Sequence, residues 1–262
     1  RGHGQAAQCP HMVEHVRHAI QHRLADTAAA LERTEVRQFI ASQRAYTERE
    51  YPAILEEISG IAEGFGLSEA TLFDYLHCSS AMDLVARSEP HPDACTSFAL
   101  STQDGGALLA KNRDYRPEHV PIQRVMRHAD PAWNGGEILV LGSLGSPGNF
   151  SSGINSDGLA VSDTASRTSD MGPGLHRYFL LTWLLVHCAT VGEALAAIRR
   201  FTHTGSGLLI LADAEGAVAA VELGHRRVGI EQRHRGRVGR TNHFVLPDMA
   251  PANLLAPDSA AS

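Results

Sequence analysis

Pro92-Asp93-Ala94-Cys95-Thr96-Ser97-Phe98 marks the point where the chain changes character. Just before it, Glu89-Pro90-His91-Pro92 places two prolines within four residues, which favours an extended connection over a helix. Upstream the pattern is helical. Met12, Val16, Ala19, Ile20 and Leu24 recur at the three-to-four spacing of an amphipathic helix, and residues 51–65 repeat it through Ile54, Ile58 and Ile61. Ser68 reads as an N-cap with Glu69 in the first turn of a short helix running to Leu76. Downstream the texture becomes short strands. Residues 96–102 and 107–113 flank Asp104-Gly105-Gly106, a hairpin signal, and residues 137–142 and 158–164 add two more strands. Two consecutive helices follow at 175–188 and 191–201, and then strands resume at 208–212, 217–222 and 227–232. Strands, a helix pair and strands again predict a layered α+β domain whose main boundary lies near Cys95.

The 262 residues are 43% hydrophobic and 20% charged, which supplies a substantial core and argues against disorder. A net charge of -6 speaks against a nucleic-acid binder, and the basic run from Arg233 to Arg240 is too short to alter that. The longest apolar run, residues 178–186, falls well below the roughly 20 residues that span a bilayer, so no membrane association is expected. Cys9, Cys78, Cys95 and Cys188 lie far apart with no Cys-x-x-Cys pair, which favours a reducing, cytoplasmic setting over a disulfide scaffold. Gly142 to Gly148 lacks both the phosphate-loop and the dinucleotide signatures. The chain opens on Arg1 and stops after residues 257–262 without a closing element, as a processed or trimmed piece would. Among 23 basic residues there is a single lysine, Lys111.

Hairpin pairing returns Lys111 and Asp114 to the neighbourhood of Cys95. Alone, Cys95 reads as a small buried hydrophobe heading a strand. Together with its surroundings it resembles the cysteine-type N-terminal-nucleophile (Ntn) hydrolases, most closely the isopenicillin N acyltransferase group and its acylase relatives. The resemblance rests on Gly60-Ile61-Ala62-Glu63-Gly64, Ala94-Cys95-Thr96-Ser97-Phe98, Asn112-Arg113-Asp114-Tyr115, Gly153-Ile154-Asn155-Ser156-Asp157-Gly158-Leu159-Ala160-Val161, Ala212-Asp213-Ala214-Glu215-Gly216 and Thr241-Asn242-His243-Phe244, in that order. It implies a four-layer αββα sandwich with a helical N-terminal pro-segment. It also implies self-cleavage between Ala94 and Cys95, leaving a helical subunit of residues 1–94 associated with a catalytic subunit of residues 95–262. The implied activity is hydrolysis or transfer of an acyl group from a small amide or thioester through an acyl-Cys95 intermediate, with no cofactor and no metal. The chemistry suits the design: a thiol of ordinary pKa about 8.5 needs a base, and a chain-terminal amine of pKa about 7.7 to 8.0 is attached to the same residue.

By the same resemblance Asp114 orients the free amine or the thiol, and Asn242 either donates to the developing oxyanion or holds the amine. A turn carboxylate and an Asx-turn asparagine are the competing readings for these two residues. Lys111 stands where the bile-salt and penicillin V acylase branch carries arginine, so a bidentate clamp is replaced by a point charge that serves the Cys95 thiolate or the Asp114 carboxylate. A plain surface lysine is the alternative. Thr96, Tyr115 and Thr164 are candidate substrate contacts, with residues 116–127 and 168–176 as pocket loops. Asn155 and Gly158 are expected to shape a turn. His11, His15, His18 and His22 share one helix face; a solvated face is the simple reading, and a metal-recruiting, non-catalytic module that keeps the fold is the competing function.

Overall fold

The computed structural model describes residues 2–85, 95–131, 133 and 136–254. Six helices precede the first strand: α1 (Gly2–Gln8), α2 (Val13–Leu31), α3 (Thr34–Glu50), α4 (Pro52–Gly64), α5 (Glu69–Leu76) and α6 (Cys78–Val85). Each of the three helical stretches expected in this part is present, and the hydroxyl of Ser68 caps α5 by accepting the Thr71 amide at 3.0 Å. The residues that follow alternate as β1 (Cys95–Ser101), β2 (Ala107–Arg113), β3 (Gln123–Ala129), β4 (Glu137–Ser143), β5 (Ser152–Asn155), β6 (Ala160–Ala165), α7 (Arg177–His187), α8 (Val191–Arg200), β7 (Gly207–Ala212), β8 (Val218–Leu223), β9 (Val228–Arg233) and β10 (Arg237–Arg240). Three of these strands, β3, β5 and β10, were not expected from the sequence.

Two antiparallel sheets form. The larger runs β3-β4-β5-β6-β7-β8-β9 and the smaller β10-β1-β2. The smaller sheet packs over β6 to β9, where Ala99, Ile210, Ala212, Val218, Ala220 and Val238 make a buried seam. Ser97 and Ser162 cross it with hydroxyls 2.5 Å apart. The opposite face of the larger sheet is covered by α7, whose residues from Arg177 to Val186 are nearly all buried, and by α8 through Val191, Ala194, Leu195 and Ile198. Helix, large sheet and small sheet therefore stack as layers of an α+β sandwich. Among the described residues no helix lies on the far face of the small sheet, where Phe98 and Leu108 are exposed. The large sheet also extends beyond β2, and there Val125, Leu139, Leu141 and Ile154 form an uncovered apolar strip across β3, β4 and β5.

The N-terminal helices share the main core with α7 and α8: Ile54, Ile58, Ile61 and Phe65 belong to the same buried cluster as Phe179, Leu181 and Leu184. Polar anchors fix the junction. Asp83 of α6 lies 2.5 Å from the hydroxyl of Ser206 and 3.4 Å from Nε of Arg167. Ser206 holds a positive φ of 62°, a conformation that costs a non-glycine residue free energy and so marks a point the surroundings over-determine. Gln43 of α3 donates to Thr204 and accepts from the Gly174 amide at 2.8 Å.

Candidate active site

The site grows out of the hairpin. Its turn holds Gly105 at a φ of 106°, which glycine adopts without strain, and the register that results pairs Cys95 with Arg113, Thr96 with Asn112 and Ser97 with Lys111. Because side chains alternate along a strand, Cys95, Ser97, Lys111 and Arg113 all face the large sheet. Thr96 sits on the other side of β1, exposed, and is not brought to the site.

Cys95 heads β1 beside a small cavity of about 30 Å³ lined by Ser79, Lys111, Arg113, Asp114, Tyr115, Phe150, Asp163, Ala165, Arg177 and Tyr178. Its backbone N–H donates to Asn242 Oδ1 at 2.8 Å, and the Asn242 amide donates in turn to the Ala165 carbonyl at 2.8 Å. Both polar ends of Asn242 are thus engaged. Asn242 stands in direct contact with the Cys95 nitrogen. The backbone of Asp114 favours the thiolate form of Cys95, and Asp114 is among the residues that line the cavity. Burial pushes the Cys95 thiol above its ordinary pKa; Lys111 pulls in the opposite direction, Asp163 adds to the rise, and the Asp114 amide and Arg113 oppose it.

Lys111 is neither a surface lysine nor a partner of Asp114. Its side chain is 7% exposed, and Nζ lies 2.7 Å from Asp163 Oδ1. The other oxygen of Asp163 accepts from Arg177 Nε at 2.9 Å, so one buried carboxylate of β6 joins two cations from β2 and α7. Burial alone would raise the Asp163 pKa, yet the two cations overcome it and hold the carboxylate below its usual range. Sequence reading missed Asp163 and Arg177. The signal was present: an acid at the centre of Ala160–Ala165, a strand whose middle residues are all buried, needs a cationic partner.

The turn that carries Asn242 is pinned from several sides. Thr164 is buried and directs its hydroxyl to the Thr241 carbonyl at 2.5 Å, which makes it a support of this turn and not a wall of the cavity. Glu222, fully buried on β8, accepts from Arg240 Nε at 2.8 Å, from the Val245 amide at 3.0 Å and from the Leu246 amide at 3.2 Å. Asn253 exchanges two hydrogen bonds of 2.8 Å with the backbone of Phe244. The basic run 233–240 therefore ends in a buried structural arginine.

Tyr115 is at the site, stacked against Arg113 at 4.3 Å. Residues 116–127 and 168–176 do not line the cavity; Ser79, Phe150 and Tyr178 do instead, with the Phe150 and Tyr178 rings 3.9 Å apart. Ala94, the other residue of the expected cleavage bond, lies outside the described residues. Asn155 shapes its turn as expected, donating to the Leu185 and Cys188 carbonyls and accepting the Leu159 amide. The four histidines 11, 15, 18 and 22 are exposed, His22 lies 3.3 Å from Glu118, and no group of three potential metal ligands converges among the described residues. No described helix is long and apolar enough to cross a membrane.

Comparison with known proteins adds three findings. No curated protein matches the chain. A point mutant of the conjugated bile acid hydrolase from Clostridium perfringens is similar at 18% identity and a TM-score of 0.43, over 59% of this chain and 54% of that one. Penicillin V acylase from Agrobacterium tumefaciens is similar at 19% identity and a TM-score of 0.38, over 53% and 50%. The chain spans about half the length of these structures. The family profile of acyl-coenzyme A:6-aminopenicillanic acid acyl-transferase matches residues 101–262, a stretch that takes in Lys111, Asp114, Asp163 and Asn242. With well over half of its residues inside that match, the chain belongs to the acyl-coenzyme A:6-aminopenicillanic acid acyl-transferase family.

Proposed function

We propose that the protein is a self-processing amidohydrolase or acyltransferase whose nucleophile is Cys95, freed as an N-terminal residue by cleavage of the Ala94–Cys95 bond. The observation that carries this reading is the pairing of the Cys95 nitrogen with Asn242 Oδ1 at 2.8 Å, at the edge of a cavity that Lys111 and Asp114 also line. A half-buried thiol with a raised pKa is a poor nucleophile until a base takes its proton, and the liberated α-amine of the same residue is that base. The thiol proton passes to the amine, Sγ bonds to the substrate carbonyl carbon, and the C–N bond breaks as the amine returns the proton to the leaving nitrogen. Water or an amine acceptor then resolves the acyl-Cys95 thioester. Asn242 holds the amine, Lys111 opposes the loss of thiolate character, and Asp163 fixes Lys111 in place. Tyr115 is the substrate contact from the sequence reading that stands at the cavity.

The substrate class is a small N-acyl amide, in keeping with a conjugated bile acid hydrolase and a penicillin V acylase among the similar structures. Residues 1–94 stay with residues 95–262 after the cut, since the two share one apolar core and the Asp83 anchor. Denaturing mass spectrometry tests the first step. The wild-type chain is expected as two fragments and Cys95→Ala as one uncut chain. An active wild type that remains in one piece overturns self-processing.

A further inference from the structure

Ser206 is a costly choice where it stands. Among the described residues it is the one non-glycine residue with a positive φ, 62°, and its neighbour Gly205, at 86°, is the residue type that such a bend accepts without strain. A glycine there would lack only the side chain, so the hydroxyl is what the strain retains. That hydroxyl is buried, 2.5 Å from Asp83 Oδ2 on α6 and 2.6 Å from the Ser166 carbonyl just past β6. The backbone of the same residue offers its carbonyl to Arg177 Nη1 at 3.1 Å. The bend is shaped around that arginine, since a Cβ on Gly207 would stand 2.9 Å from Arg177 Cδ.

From Arg177 the contacts run without a gap to the wall of the cavity. Its Nη2 donates to the Tyr178 hydroxyl at 2.8 Å and its Nε to Asp163 Oδ2 at 2.9 Å, while Asp163 Oδ1 accepts from Lys111 Nζ at 2.7 Å. Lys111, Asp163, Arg177 and Tyr178 all line the cavity beside Cys95. Asp83, Ser206, Arg177 and Asp163 are buried, and a close-packed interior passes a displacement on instead of absorbing it.

We infer, on the reading of Cys95 as nucleophile, that Asp83 and Ser206 are positioning residues for the reaction: they hold Arg177, and through it Asp163 and Lys111, in the arrangement that lines the cavity beside Cys95. Asp83 lies before the proposed cut and Ser206 after it, so the N-terminal segment supplies a support of the site as well as part of the core. Releasing that support loosens Lys111, the cation whose charge favours the thiolate, and the thiol becomes harder to ionise.

Alkylation of Cys95 by iodoacetamide across a range of pH, scored by peptide mapping on the protein as expressed, tests the link. Glycine keeps the bend at position 206 and removes the hydroxyl. Ser206→Gly is therefore expected to fold, to move the alkylation midpoint to higher pH and to slow alkylation at neutral pH about fivefold. Asp83→Ala is expected to do the same and the double variant no more than either alone, whereas Asp83→Asn, which still offers an oxygen to the hydroxyl, stays near wild type. In a Lys111→Met background Ser206→Gly is expected to add less than about twofold, because the broken link no longer reaches a cation at the thiol. Equal slowing in both backgrounds overturns the inference, and so does wild-type alkylation of Ser206→Gly at a temperature where circular dichroism shows every variant folded. If Asp83→Ala does not fold, the cycle between Ser206→Gly and Lys111→Met decides alone. Failure of the nucleophile reading shows separately, as a Cys95→Ala variant that still turns over butyryl p-nitroanilide.

Discussion

Lys111 shows how one residue acquires a role from its register. Set opposite Ser97 on the inner face of the hairpin, it meets Asp163 and stands near enough to Cys95 to lower the thiol pKa against the effect of burial. Removing that charge takes away the largest influence that lowers the thiol pKa, leaving burial and Asp163, which raise it, opposed only by the smaller effects of the Asp114 backbone and Arg113. Lys111→Met is therefore expected to move the pH profile of Cys95 alkylation by iodoacetamide upward, whereas Lys111→Arg keeps it close to wild type; superimposed profiles for all three would remove Lys111 from the site. Cys95, Lys111, Asp114 and Asn242 were legible because they lie in short motifs or follow from hairpin geometry. Ser79, Phe150 and Tyr178 were not, since they reach the cavity from three separate elements by tertiary packing, which leaves no local pattern. Thr164 was singled out from the right strand but points to the Thr241 carbonyl, a direction that strand alternation alone does not determine.

At the level of elements, the turn after β10 owes its position to Glu222, a carboxylate buried on a strand whose residues are all buried. Glu222→Gln keeps the shape but removes the buried one of two counter-ions of Arg240, which is itself nearly inaccessible and keeps Glu231 at 3.0 Å. Breaking a buried pair from one side costs about 3–5 kcal/mol when the remaining charge is left alone; Glu231 still partners Arg240, so a smaller drop in the urea midpoint is expected. The double variant Glu222→Leu, Arg240→Leu is expected to regain much of that stability while the Val245 and Leu246 amides stay unpaired and Asn242 drifts. Slow processing in a stable double variant is the predicted outcome; full-rate processing would show that the turn needs no such support. Strands with apolar alternation and glycine turns were readable in the sequence, and so were most helices. β3 was not, because Gln123–Ala129 carries two arginines and a histidine at a sheet edge. β10 was hidden by its sequence, Arg-Val-Gly-Arg, which reads as solvated charge although Val238 and Arg240 are buried.

For the molecule as a whole, the shared core makes the N-terminal helices part of the protein's stability. His77 sits at that junction, fully buried, with Nδ1 donating to the Phe73 carbonyl at 2.8 Å and its ring 5.0 Å from that of His176. Burial lowers its pKa from 6.5 to about 4. A base whose folded pKa is depressed binds its proton more readily when unfolded, so its contribution is intact above pH 6.5 and is lost as pH falls toward 4. A fall of that size corresponds to roughly 3 kcal/mol, and His77→Leu is expected to flatten the decline of Tm between pH 7 and pH 4.5. An unchanged slope would place the acid sensitivity elsewhere, for instance at His176, whose pKa burial also lowers. The layered α+β plan was legible from element order, but the reach of the large sheet past β2 was not, because the alternation in β4 reads the same whether the inner face is covered or bare. One last property follows from the composition and from the burial of Lys111. With the only lysine nearly inaccessible and held by Asp163, an amine-acylating reagent finds no reactive side chain, only chain termini. The proposed cut before Cys95 would create one new terminus. A succinimidyl ester applied to the folded protein should thus add one further label for each cut chain, turning the count of attached tags into a direct gauge of maturation; a mature sample that gains no label at Cys95 would show that its amine is shielded.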